Sequence, residues 1–270
     1  MNPAPTTASR LAPVFADARA ENRSTLIGYL PVGFPDLDTS LSLLRDLVSA
    51  GCDIVELGIA YSDPVMDGPT IQNAADVALR SGVRVADVFT ACQTVADAGA
   101  APVVMTYWNP VLRYGVDAFS RDLAASGGLG LITPNLIPEE ADDWLNAAET
   151  HDLDRIFLVA PSSSEERLAM TAQASRGFVY AASTMGVTGA RDAVSNAAPE
   201  LCSRVRAHSD IPIGVGLGVR SREQAAEIAA YADGVIVGSA LVSAVSEGGD
   251  ALTTLVAELA EGVRSATVTR

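Results

Sequence analysis

Glu56 and Asp67 are the two side chains of this sequence best placed to do chemistry together. Glu56 stands at the end of a short apolar run, Ile54-Val-Glu56-Leu-Gly58, and Asp67 follows eleven residues later on a loop bounded by Pro64, Gly68 and Pro69. An unpaired carboxylate is costly to desolvate inside a strand. A Glu at the strand's carboxyl end, facing a loop-borne Asp, is the arrangement an acid–base enzyme needs. The absences narrow the chemistry further. All 18 basic residues are arginine, so a lysine Schiff base is excluded. Two histidines and three cysteines (Cys52, Cys92, Cys202) with no CxxC pair argue against a catalytic transition-metal site. Proton transfer by paired carboxylates remains, on a substrate that carries its own electron sink.

Two glycine-bearing runs near the end of the chain suggest what else the substrate carries. Gly214-Val-Gly-Leu-Gly218 and Gly234-Val-Ile-Val-Gly238-Ser239 let the backbone approach an anion closely. A short helix over 239–245 would turn its amino-terminal amides toward the same anion, so a phosphate is expected here. Before them, residues 183–190 place Gly186 and Gly189 around small and hydroxyl residues, as suits a hinged lid that excludes water. Tyr29, Tyr107 and Tyr180 fall at or near strand ends, where an aromatic ring can wall a flat ligand. Trp144 lies on a helical stretch and reads as packing.

The elements that must position these groups alternate regularly. Strands are predicted at 26–30, 54–57, 103–107, 129–133, 155–159, 178–182, 213–216 and 234–237, each followed by an Ala/Leu/Glu-rich helical stretch. Eight such units over about 250 residues match a (β/α)8 TIM barrel, and a doubly wound open sheet fits less well. Residues 8–21 predict an additional amphipathic helix covering the barrel bottom, with Leu11 and Phe15 inward. A closing helix is expected after Gly248-Gly249, capped by Asp250 and running to about Val263. No linker or low-complexity stretch divides the chain, so residues 1–270 are expected to form one domain. Barrel active sites lie at the carboxyl ends of strands. Glu56 and Asp67 meet that condition, whereas His151 and His208 precede strands and belong to the opposite face.

Composition bounds the partners. With 33 acidic and 18 basic residues the formal charge is −15, which disfavours nucleic acid and obliges an anionic substrate to find local backbone donors. Hydrophobic residues make up 49% of the chain, yet no apolar run reaches the length of a membrane span. The first residues lack the charged and apolar regions of a signal peptide, and a cytoplasmic location with reduced thiols is expected.

The segment Glu56–Gln72 resembles the stretch ELGxxxSDPxxDGPxIQ of the tryptophan synthase α subunit family. The likeness extends through Met105-Thr-Tyr-Trp-Asn-Pro110, Pro161-Ser-Ser-Ser164, Thr184-Met-Gly-Val-Thr-Gly189 and both phosphate runs, from about Ser24 to Val245. It implies cleavage of indole-3-glycerol phosphate to indole and glyceraldehyde 3-phosphate. The indole ring is then the electron sink, since protonation at C3 gives an iminium. By the resemblance Glu56 is the acid–base group and Asp67 accepts the indole N–H. Tyr29 lines the indole pocket, Tyr180 helps position Glu56 and the ring, and Thr188 ties a closed lid to Asp67. Gly189, Gly218, Gly238 and Ser239 supply phosphate donors. It further implies an α2β2 assembly whose β subunit carries pyridoxal phosphate, no cofactor or metal in this chain, and a partner-facing loop containing Tyr61 and Asp63.

Two positions depart from the family pattern. Ala60-Tyr61 replaces the usual Pro-Phe, and Asn135 stands where Asp is common. Two other readings stay open at this point: a stand-alone lyase that releases free indole, and a silent partner that binds the phosphate ligand and regulates another subunit.

Overall fold

The computed structural model describes residues 8–182, 197–216 and 218–266. Nine strand segments form one all-parallel sheet: β1 (Thr25–Pro31), β2 (Ile54–Gly58), β3 (Ala101–Met105), β4 (Gly130–Ile132), β5 (Asp154–Ile156), β6 (Leu158–Val159), β7 (Val179–Ala182), β8 (Ile213–Gly216) and β9 (Gly234–Val237). Their order is β5-β4-β3-β2-β1-β9-β8-β7-β6. Its two ends, β5 and β6, are separated in the chain by Phe157 alone, so the sheet closes on itself into a barrel. The strand expected at 155–159 is therefore two segments. β5 pairs with β4 as far as Ile156, and the ladder then passes to β7, whose Tyr180 amide donates to the Phe157 carbonyl at 3.0 Å. The (β/α)8 TIM barrel read from the sequence is the fold observed, with this one strand divided.

Alternation along the strands decides which side chains enter the barrel. Ile27, Ile54, Val103, Ile132, Ile156, Phe178 and Ile236 fill its interior. Two residues further along β1 and β2 stand Tyr29 and Glu56, one layer nearer the carboxyl ends and in register with each other. Leu11 and Phe15 belong to the same interior cluster, with the Phe15 ring 5.9 Å from that of Phe178. The amino-terminal helix, Ala12–Ala20, thus plugs the bottom as expected, though it begins later than residue 8.

Four sequence expectations need correction. The third strand ends at Met105 rather than Tyr107, because Tyr107 already occupies the N-cap of helix Trp108–Tyr114. Asp250 stands at the N-cap of the closing helix Ala251–Ser265, but its side chain makes no capping hydrogen bond. Its backbone, near φ −89° and ψ 9°, lacks the extended conformation from which a cap side chain reaches back to the amides. That helix also runs past Val263. The helix after β9 spans Ser239–Glu247, slightly longer than expected.

The plug is fastened by a group the sequence did not single out. Asp154 is fully buried, accepts from Ser9 Oγ at 2.7 Å and from the Leu11 amide at 2.9 Å, and so caps the entry to the first helix. Arg176, 2% exposed, places Nε 2.9 Å from Asp154 Oδ1, an ion pair whose angle is not that of a hydrogen bond. It also donates to the Ala8 carbonyl at 2.9 Å and pairs with Asp152. Burial pushes the Asp154 carboxyl up, and these contacts oppose that shift. Removing one partner of a buried pair strands the other charge, so Asp154→Ala is expected to lower stability by about 3 kcal/mol or more in denaturant titration.

Candidate active site

Glu56 lies in the middle of the site because β2 is read by both neighbours, Tyr29 of β1 and Val103 of β3. Its residue is 1% exposed, and Oε2 has no hydrogen-bond partner among the described residues. Burial first, and the nearby Asp67 second, push its carboxyl up to about 8. A carboxylic acid so poised can both give and take a proton near neutrality.

Asp67 is set by its loop. Gly68 caps helix Pro69–Arg80 in extended conformation and Pro69 starts it, which leaves Asp67 just outside the first turn. Gln72 reaches back from that turn, donating to the Asp67 carbonyl at 2.7 Å. Tyr107 holds the loop from the opposite side. Its hydroxyl accepts from the Met66 amide at 2.9 Å and faces the Asp67 carboxylate. Burial raises the Asp67 carboxyl, and the Tyr107 hydroxyl works against that rise. The Tyr107 phenol is itself pushed up to about 12, chiefly by burial, so it stays protonated and can donate.

Tyr29 and Tyr180 close the constellation. Burial, then the charges of Asp67 and Glu56, raise the Tyr29 hydroxyl; burial, then Glu56 and Asp67, raise that of Tyr180. Each ring lies over a glycine. A methyl group on Gly216 would meet the Tyr180 hydroxyl at 2.6 Å, and one on Gly58 would run into the Tyr29 ring. Met105 and Leu158, with Tyr180, form a half-buried apolar rim above the barrel interior. Gly58, Gly216, Met105 and Leu158 escaped the sequence reading. For Met105 and Leu158 the signal was the i, i+2 spacing from the interior residues Val103 and Ile156.

At the carboxyl ends of β8 and β9, Gly218 has φ +68° and Gly238 caps helix Ser239–Glu247. The Gly238 carbonyl accepts the first intrahelical bonds, from Leu241 at 2.9 Å and Val242 at 3.1 Å. The Ser239 and Ala240 amides have no carbonyl a turn earlier within the helix to take them. No acidic side chain stands in that first turn, so its positive end is left for an external anion.

Not every expected residue gathers here. Thr188, Gly189 and the lid at 183–190 lie outside the described residues. Asp63 is exposed, and its carboxylate accepts from Ser62 Oγ at 2.6 Å. Tyr61 is half-buried, its ring 5.4 Å from that of Tyr107. Asn135 accepts from the Trp108 amide at 2.9 Å, joining the loops after β3 and β4. His151 pairs with Asp117 and His208 with Glu165, each at 2.8 Å, away from the carboxylate pair. Cys52, Cys92 and Cys202 are free and buried. Among the described residues there is no cluster of three or more His, Cys, Asp or Glu that could hold a metal, and no helix is long and apolar enough to cross a membrane.

The family model described as tryptophan synthase alpha chain matches residues 15–269. The chain belongs to the tryptophan synthase alpha chain family. A tryptophan synthase alpha chain of Nocardia farcinica is 73% identical over 260 residues, covering 96% of this chain and 98% of the relative. One from Mycobacterium marinum is 70% identical, covering 95% and 96%. Among solved structures, Mycobacterium tuberculosis tryptophan synthase superposes with a TM-score of 0.93 at 68% identity, over 96% of this chain and 99% of that one. The alpha subunit from Legionella pneumophila keeps a TM-score of 0.83 at only 31% identity, over 97% and 99%. The activity is that of the lyase component, which cleaves indole-3-glycerol phosphate in tryptophan biosynthesis.

Burial of Glu56 makes folding depend on pH. The folded carboxyl keeps its proton to about pH 8, whereas an unperturbed Glu loses it near 4.5. Between those values unfolding releases a proton, so the stability present at acid pH falls as pH rises toward 8. Glu56→Gln carries no such proton. Its stability relative to the parent is therefore expected to rise by a few kcal/mol from pH 5 to pH 8, measured by denaturant titration.

Proposed function

We propose that Glu56 and Asp67 carry out the carbon–carbon cleavage of indole-3-glycerol phosphate without metal or cofactor in this chain. The protonated Glu56 carboxyl gives its proton to indole C3, which leaves a ring iminium. The resulting carboxylate takes the proton of the C3′ hydroxyl. The C3′–oxygen double bond forms as the bond from indole C3 to C3′ breaks, and those electrons return to the ring nitrogen. Indole and glyceraldehyde 3-phosphate leave, with Glu56 protonated as it began. Asp67, as carboxylate, accepts the indole N–H and stabilises the positive charge that grows there, an interaction strongest in the transition state. The single observation that carries this reading is a buried Glu56 with an unpartnered Oε2, close to an Asp67 whose loop Tyr107 holds at Met66.

The remaining roles follow the same axis. Tyr29, Tyr107 and Tyr180, with Met105 and Leu158, wall the flat ring. Gly218, Gly238 and Ser239 bind the phosphate, with Gly189 as a further donor and Thr188 holding a closed lid to Asp67. The chain acts as one cytoplasmic domain in an α2β2 assembly whose β subunit carries pyridoxal phosphate and receives the indole. Support for a partner face comes from exposed apolar side chains on three successive connections, Val65 after β2, Leu112 after β3 and Ile137 after β4. Asp63 and Tyr61 lie on the first of them.

The lyase assay tests the core of this reading. Glu56→Gln is expected to remove about 10²- to 10⁴-fold of the turnover while circular dichroism stays native. Asp67→Asn is expected to cut kcat severely with phosphate binding largely kept. Near-normal turnover in the first variant, or a loss of affinity alone in the second, would refute the corresponding role. Asp63→Ala tests the partner face. It is expected to damage activation by the β subunit far more than the basal rate, and normal activation would reject the coupling.

A further inference from the structure

We propose that Tyr61 is a positioning residue of the active site: its ring and its Asn109 bond hold Tyr107 against Met66 and Asp67. The inference rests on the role given to Asp67 above, and it moves Tyr61 from the partner face into the machinery that sets the second carboxylate. Tyr107 is the hinge of the argument. It stands just beyond β3 at a helix N-cap and is nearly buried, yet its hydroxyl serves another loop, taking the Met66 amide at 2.9 Å and facing the Asp67 carboxylate. A phenol can hold that geometry only if its ring cannot swing. Tyr61 supplies the stop, lying 5.4 Å away centroid to centroid with the planes inclined by 34°. Its own hydroxyl is fixed by Asn109 Nδ2, which donates at 3.1 Å from the helix that Tyr107 caps. The start of that helix is tied in turn by Asn135 Oδ1 on the Trp108 amide at 2.9 Å. Tyr61 and Asp67 thus share one loop, and the loop is clamped onto the β3 connection at both places. A phenylalanine at position 61 could stack but could not accept from Asn109.

The groups facing Asp67 from the surrounding elements are Glu56 of β2, Tyr29 of β1, Tyr107 beyond β3 and Tyr180 of β7. Of these, the Tyr107 hydroxyl is the group that opposes the rise of the Asp67 carboxyl. Freeing Tyr107 therefore makes Asp67 harder to ionise. The acid limb of kcat/KM, which requires the Asp67 carboxylate, moves to higher pH.

The test uses the full chain, alone and with the β subunit, on indole-3-glycerol phosphate. Tyr107→Phe should move the acid limb up, which calibrates the assay. Tyr61→Leu is expected to move it in the same direction and to lower kcat about 10-fold with KM nearly constant, because catalytic groups tolerate little displacement. Tyr61→Phe, which keeps the ring, should retain most of the rate, and its loss should not add to that of Asn109→Ala. A Tyr61→Leu chain with the parent's acid limb and basal kcat would overturn the inference, as would a defect confined to the β-activated rate. Failure of the Asp67 role itself shows separately, as unchanged kcat in Asp67→Asn.

Discussion

The structure is organised around one carboxyl group kept out of water. Glu56 sits where the apolar interior of the barrel ends, and taking an isolated carboxylate into such surroundings is prohibitive unless it is neutralised or compensated. Here it is neutralised: the group holds its proton to about pH 8. That condition demands a barrel sealed beneath Glu56, which Ile54, Val103 and Phe178 provide from the strands and Leu11 and Phe15 from the plug. It also demands that no other side chain reach Oε2, and none does among the described residues. The buried Asp154–Arg176 pair belongs to the same constraint at one remove, because it holds the plug that dries the interior.

The second carboxylate is held on different terms. Glu56 is fixed by backbone ladders on both sides, whereas Asp67 is fixed by side chains: Gln72 from the helix that follows and Tyr107 from the neighbouring connection. A strand-borne group can be moved only by deforming the barrel. A loop-borne group held by two or three hydrogen bonds can be moved by whatever presses on those bonds. The exposed Val65 stands two residues before Asp67, so a surface docked there would act on the stabilising carboxylate and leave the proton donor in place.

Much of this was legible in the sequence, and the physics explains which part. The barrel follows from eight repeats of one strand–helix unit, and β8 and β9 fall on the residues the pattern predicts because glycine and β-branched runs bound them sharply. Glu56 was legible because a charge in an apolar run is rare. Tyr107 was read as a strand end, since Met105-Thr-Tyr continues a β-like pattern; only the tertiary bond to Met66 shows why the chain turns into a helix there. Asp154 and Arg176 were not legible at all. Their partnership joins positions 22 apart and reaches residues near the start of the chain, and no local pattern encodes that contact. The split at Phe157 was invisible for the same reason, because ladder exchange is a property of ring closure and not of the strand.

The net charge of −15 sets a final constraint on how the substrate is held. A general positive field, the cheapest way to attract a phosphate, is absent, and an arginine beside the carboxylate pair would favour the ionised form of Glu56, which must keep its proton. Backbone amides avoid this conflict. They offer directed partial charges at Gly238 and Ser239, just beyond β9, whose effect falls off within a turn of the helix, and β1 stands between them and Glu56 on β2. Placing the anion on amides one strand away from the proton site lets one cavity bind a dianion and keep a carboxylic acid protonated beside it.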